Sequence, residues 1–292
     1  MDIVCIQKAP QPSKETISSM LDLLEPINIR SDERVIVKPN ICFHRNSREM
    51  IVTDPALVAA TIDLLKERTS HITVVESDNR SGSADDRVEK LGLSSLLEQL
   101  KVPFKNLSKE RNLLFRKIGD TEFHIPELVT EADWVVNLPK LKTCVGTTVT
   151  LSLKNTFGLV SDKNKPSMHG VLDKILLEVN KLIRRQLIIV DGGIGMEGNG
   201  PLVGDPVQTG IFVAGTQPVS VDATCSRIMG FDPSQISHIK ACAEDGLGTI
   251  DVGGVNVVGK AISEVAVRFA PPSFNPVSVA RTVKSAAQLY LK

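Results

Sequence analysis

The stretch Asp133-Trp134-Val135-Val136-Asn137-Leu138-Pro139-Lys140-Leu141-Lys142-Thr143-Cys144, running on through Val145-Gly146-Thr147-Thr148-Val149-Thr150-Leu151-Ser152-Leu153-Lys154-Asn155, decides the fold. It opens on Trp134-Val135-Val136, a short β-branched apolar run that reads as a buried strand. Asn137 follows, and Pro139 ends the ladder because proline has no N–H to donate. Lys140 and Lys142 stand two positions apart, so an extended chain sends both ammonium groups to one side. A second β-branched run, Val145 to Leu153, reads as another strand that delivers Lys154 and Asn155. Lysines and asparagines gathered at the ends of apolar strands form a cationic, donor-rich pocket for an anion. The plainer alternative is that they are solvated strand ends.

The same grammar occurs upstream. Arg34-Val35-Ile36-Val37 is an apolar strand running into Lys38-Pro39-Asn40. Thr53-Asp54-Pro55 then starts a helix, with Thr53 or Asp54 as the cap and Pro55 at the first helical position. The helix 56–68 leads to a strand Ile72–Val75 that ends in Glu76-Ser77-Asp78. Strand, helix and strand in this order imply a parallel crossover. The expected architecture is therefore α/β: a mainly parallel sheet with helices on both faces and a site at the carboxyl ends of the strands, where open sheets bind ligands.

Further along, Phe115–Ile118 and Glu122–Ile125 read as a hairpin, and 172–185 as an amphipathic helix. His169 stands in the loop before that helix, where an imidazole can act as acid or base or simply cap. Leu187–Val190 is a fully apolar strand ending at Asp191, a candidate base or carboxylate ligand. The glycine-rich run from Gly195 through Gly198, Gly200 and Pro201, continuing to Gly204-Asp205-Pro206, matches neither a Walker loop nor the dinucleotide fingerprint. It reads either as a backbone nest for an anion or as a long turn. Asp222, in an apolar helical segment, needs buried partners. Glu76, Asp78, Asp191 and Asp222 are carboxylates that a Mg²⁺ site would need, but their spacing matches no metal motif and no metal is assigned. After Lys260 the pattern weakens, which divides the chain into a domain over 1–260 and a helical extension over 261–292.

Composition narrows the function classes. The chain has 292 residues, 34 basic and 34 acidic side chains, and 4% aromatics. A zero net charge with few stacking side chains argues against nucleic-acid binding. No apolar run is long enough to span a membrane, and the N-terminus lacks a signal-peptide pattern, so a cytoplasmic location is expected. Cys5, Cys42, Cys144, Cys225 and Cys242 are dispersed, with no C-x-x-C pair for zinc or an iron–sulfur cluster.

K-P-N at 38–40, T-D-P at 53–55, E-S-D at 76–78 and N-L-P-K-L-K-T at 137–143 form an ordered set. L-K-N-x-x-G at 153–158, H-G at 169–170, D-G-G at 191–193, G-x-G-P at 198–201 and V-D-A at 221–223 complete it. Over roughly residues 2–260 this set resembles the DUF362 family, a domain named for having no established function. The resemblance implies an α/β domain whose relatives often carry an added ferredoxin-like iron–sulfur segment. This chain has no such segment, and it has Cys144 where a histidine is common.

The resulting expectation is an enzyme acting on a small carboxylate or phosphate, of undetermined reaction type and with no cofactor named. Lys38, Lys140, Lys142 and Lys154 would neutralise charge, Asn40, Asn137 and Asn155 would orient the ligand, and His169, Lys140 or Asp191 would serve the chemistry. The alternatives are a subunit partnering a separate iron–sulfur or flavin protein, expected from the resemblance alone, and a non-catalytic metabolite-binding module.

Overall fold

A computed structural model describes residues 1–290. Its strands are β1 (Asp2–Lys8), β2 (Val35–Pro39), β3 (Ile72–Glu76), β4 (Phe104–Asn106), β5 (Leu113–Ile118), β6 (Thr121–Pro126), β7 (Trp134–Leu138), β8 (Lys140–Cys144), β9 (Thr148–Thr150), β10 (Gln186–Glu197), β11 (Asp205–Gly215) and β12 (Val255–Gly259). Among the described residues ten of these form one sheet, in the order β12-β1-β11-β10-β7-β2-β3-β4, with β8 and β9 attached beyond β10. β4, β3, β2, β7 and β10 run parallel, and β11 alone of the main path runs against them. The strands β5 and β6 form a separate hairpin.

Alternation along the strands shows why both faces are covered. Val35 and Val37 of β2 enter one core with Trp134 and Val136 of β7, beneath the helix Pro55–Lys66. Ile36 and Val135 point the other way, into a second core that includes Ile175, Leu176 and Val179 of the helix Leu172–Leu182. Ile188 and Val190 of β10 face a third, closed by the helix Pro218–Ile228. The helix after β2 starts as the sequence indicates, with Asp54 accepting from Ala56 N and Pro55 at the first position.

The chain moves from β2 outward to β3 and β4, then returns to the other side of β2 as β7 and continues to β10. The pair β2/β7 is thus a switch point, the kind of place beside which open α/β sheets bind ligands.

Three local expectations are corrected. Pro139 does not end the sheet: the chain resumes as β8 alongside β10, with Lys140 opposite Asp191 and Lys142 opposite Met196. Lys140 and Lys142 therefore lie within a strand rather than beyond one. The run Val145–Leu153 is a turn, the short strand β9 and the start of the helix Ser152–Asn155. That helix begins where it does because the Asp222 carboxylate accepts from Ser152 N and Leu153 N, at 2.8 and 2.9 Å. The glycines after Asp191 continue β10 to Glu197 through a bulge, instead of forming one long turn. Gly192 is needed there because a Cβ would lie 2.8 Å from the Ile211 carbonyl of β11.

Residues beyond 260 pack on the same body. Val265 and Phe269 are buried in the third core, and the helix Pro276–Tyr290 inserts Leu289 beside Phe43, Met50 and Met196. Positions 291–292 of the expected extension lie outside the described residues.

Candidate functional site

A cleft of about 280 Å³ opens at the carboxyl ends of β2 and β3. β2 brings Lys38, and the next residue past its end brings Asn40. β3 brings Glu76, β8 brings Lys142, β9 brings Thr150, and the helix Ser152–Asn155 brings Lys154 and Asn155. Arg80 comes from the loop after β3, and Lys165 and His169 from the turn of 3-10 helix Lys165–Val171. Among the described residues the wall thus carries four lysines, one arginine and one carboxylate, Glu76.

The four lysines differ in their partners. An ammonium has three N–H donors. Lys38, buried, donates to Glu76 Oε2 and to its neighbour Pro39 O, both at 2.7 Å. Burial lowers its pKa, and Glu76 opposes that shift. Lys142, fully buried, donates to Ile51 O at 2.7 Å, Asn40 Oδ1 at 3.1 Å and Cys42 Sγ at 3.3 Å, so its donors are spent on uncharged groups. Lys154 reaches Cys144 Sγ at 2.8 Å and Thr147 Oγ1 at 2.9 Å. Lys165 reaches Ser77 Oγ and, at 3.2 Å, Asp78 O. Burial lowers the Lys165 pKa to about 8, with Glu76 opposing and the Lys38 and Arg87 charges adding to the drop.

Cys144 is buried, which raises a thiol's pKa. The Lys154 ammonium, with Thr147 and the Gly146 amide, more than offsets that and brings it down to about 7. Asn155 donates to Lys38 O and to Asn137 Oδ1, tying the helix Ser152–Asn155 to β2 and β7. Thr150 Oγ1, buried in the cleft wall, has no hydrogen-bond partner among the described residues.

His169 is exposed, with Nδ1 3.2 Å from both Lys165 O and Pro166 O. Carbonyls only accept, so Nδ1 carries the hydrogen and the neutral ring keeps its lone pair on Nε2.

Of the residues expected from sequence, Lys38, Asn40, Lys142, Lys154, Asn155 and His169 share this cleft, and Lys140, Asn137, Asp191, Gly198 and Gly200 are not in its wall. Lys140 and Asp191 pair with each other at 2.8 Å, and Asp191 also accepts from Asp54 N. Asn137 holds Ser152 O. Gly198 O accepts from Thr143 Oγ1 and Gly200 O from Val145 N, so this turn secures β8. Glu76 is engaged by Lys38, Asp78 by Ala84 N and Asn106, and Asp222 by the helix start at Ser152. Among the described residues no three His, Cys, Asp or Glu side chains gather as a metal site. Lys165, Arg80, Cys42, Thr150 and Phe157 were not singled out by sequence. Lys165 lay in a polar loop, with no periodicity to mark it.

Among the described residues no helix is long and apolar enough to cross a membrane. A thylakoid-associated protein of Synechocystis sp. is 31% identical over 245 residues, covering 79% of this chain and 75% of that protein. A crystal structure of a Thermotoga maritima protein superposes with a TM-score of 0.41 at 12% identity, over 82% of this chain; the match spans 60% of that protein's chain. The model of the domain of unknown function DUF362 matches residues 35–227, which hold Lys38, Glu76, Lys142, Lys154, Lys165 and His169, and the chain belongs to that family.

Proposed function

We propose that this chain is a cytoplasmic enzyme that binds a small carboxylate or phosphate in the cleft, with His169 moving a proton. The observation that carries the reading is the state of the buried cations. Buried Lys142 has no carboxylate partner, while buried Lys38, paired with Glu76, and half-buried Lys154 each have one N–H unspent within the protein among the described residues. A buried charge without a counter-ion is costly, and an anionic ligand relieves that cost. Thr150 Oγ1 offers the same ligand a further polar contact. His169 Nε2 supplies a lone pair that can take up a proton. The free state of all five cysteines supports the reducing compartment.

Native mass spectrometry of the freshly purified protein, followed by thermal-shift titration with phosphate, succinate and pyruvate, tests this. The expected result is a retained or stabilising anion whose effect is lost in Lys154→Met, with the ligand-free melting temperature little changed. Failure of every anion to bind, with none retained on purification, overturns the reading. A retained flavin or cluster would instead favour a subunit serving a redox partner. Anion binding without turnover in single-turnover assays would favour a non-catalytic module.

A further inference from the structure

We propose that Lys165 is a nucleophilic amine that forms an imine with a small carbonyl compound bearing an anionic group, of which 2-oxo acids are the simplest. This deepens the anion-binding reading and rests on it.

The geometry singles out Lys165 among the four cleft lysines. Lys38 is held as a cation by Glu76, Lys154 faces the Cys144 sulfur, and Lys142 has a partner for every N–H. Lys165 has neither an anionic partner nor a third acceptor among the described residues. The Ser77 hydroxyl gives its own hydrogen to Gly158 O at 2.7 Å, so toward Lys165 it can only accept. Asp78 O likewise only accepts. A neutral primary amine has two hydrogens and one lone pair. Ser77 Oγ and Asp78 O take the two hydrogens, and the remaining tetrahedral position of this cleft-lining nitrogen is the lone pair. Burial, with the Lys38 and Arg87 charges adding to it and Glu76 opposing, brings its pKa down to about 8, so the neutral amine is a populated fraction near neutral pH and grows above it; the Phe157 ring 5.7 Å away gives the cation only a weak attraction.

In the step, the amine nitrogen adds to the carbonyl carbon, losing one proton while the carbonyl oxygen gains one. Loss of water from that carbinolamine leaves the C=N bond. One amine and one carbonyl give one imine and one water, with no change of oxidation state. His169 Nε2 is available to carry the proton, and the spare N–H of Lys154 holds the anionic end.

The test is reductive trapping of the wild-type protein with sodium cyanoborohydride and pyruvate, 2-oxoglutarate or dihydroxyacetone phosphate. Intact mass and peptide mapping then locate the adduct. The expected result, with at least one of the three, is a single adduct per chain at Lys165, heavier by the carbonyl compound less one oxygen, and absent from Lys165→Arg. Mapping on the wild-type chain decides the matter even if the variant folds poorly. Adducts scattered over surface lysines, or none at Lys165 with any of the three compounds, overturn the proposal. A thermal shift by the same compounds without reductant separates two failures: binding without an adduct removes only the imine, whereas no binding removes the anion site too.

Discussion

Lys38 Nζ and Glu76 Oε2 meet at 2.7 Å with both side chains buried, and Gly158 lies over the pair with no room for a side chain. A Cβ at 158 would sit 2.5 Å from Glu76 Oε1 and 2.6 Å from Lys38 Nζ, so the glycine is required by space at the junction of β2, β3 and the segment after Asn155. Glu76 further accepts from Ser77 N and Ile41 N, which fixes its carboxylate. Glu76→Gln leaves a buried ammonium without a counter-charge and is expected to cost about 3–5 kcal/mol. Gly158→Ala, which only forces the pair apart, is expected to cost about 1–3 kcal/mol and to weaken anion binding. Urea denaturation of both variants checks the order; an alanine at 158 as stable as wild type contradicts it.

The Cys144 thiol provides a pH signature. Its pKa is about 7 in the folded chain against an ordinary value near 9. A depressed acid adds stability above the unfolded pKa and loses it as pH falls through the folded one. The native state therefore gains about 2–3 kcal/mol between roughly pH 7 and pH 9. Cys144→Ser removes most of this increment. Denaturation midpoints of wild type and variant, compared at both ends of that window, should diverge toward the alkaline side; parallel curves would show that Lys154 does not hold a thiolate.

The frame of the molecule was readable because it rests on short-range rules. Val35–Val37, Val74–Val75 and Trp134–Val136 are apolar on both faces, as buried parallel strands must be, and Asp54-Pro55 marks a helix start. The cleft was only partly readable. Lys38 and Lys142 come soon after apolar runs in the sequence, but nothing local distinguishes Lys140 from Lys142. Their roles separate only through distant partners, Asp191 for one and Asn40 and Ile51 for the other. The path of β10 past Asp191 was hidden for the same reason: glycines that suggest a turn are there to let β11 and Phe269 approach. The helix at Ser152 owes its start to Asp222, 70 residues away in sequence.

His238 is buried in the helix Ser237–Glu244, and neither ring nitrogen has a hydrogen-bond partner among the described residues. Burial, with the Lys154 charge adding to it, lowers its pKa to about 3 from 6.5. Between those values the unfolded chain binds the proton and the folded one does not. Stability therefore falls as pH drops below 6.5, by about 4–5 kcal/mol in all. His238→Leu removes two unsatisfied polar atoms and is expected to stabilise the chain by about 1–3 kcal/mol at neutral pH. It should also flatten this part of the acid limb. A destabilised variant, or one with the wild-type acid profile, would mean that the imidazole has a role the packing does not show.

The Lys140–Asp191 pair allows stability to be separated from binding. Its two charges lie 2.8 Å apart and almost wholly buried, yet neither side chain is in the wall of the cleft. Asp191→Asn keeps an acceptor for Asp54 N but leaves Lys140 without its counter-charge, at an expected cost of about 3–5 kcal/mol. Replacing both, as Lys140→Met with Asp191→Asn, removes the stranded ammonium and should recover most of that loss. Neither variant should change the affinity of the folded protein for a stabilising anion more than about twofold, because Lys38, Lys142 and Lys154 keep their own partners. Chemical denaturation gives the first quantity and ligand titration well below the melting temperature gives the second. A large loss of affinity in the recovered double variant would bring Lys140 back into the binding machinery.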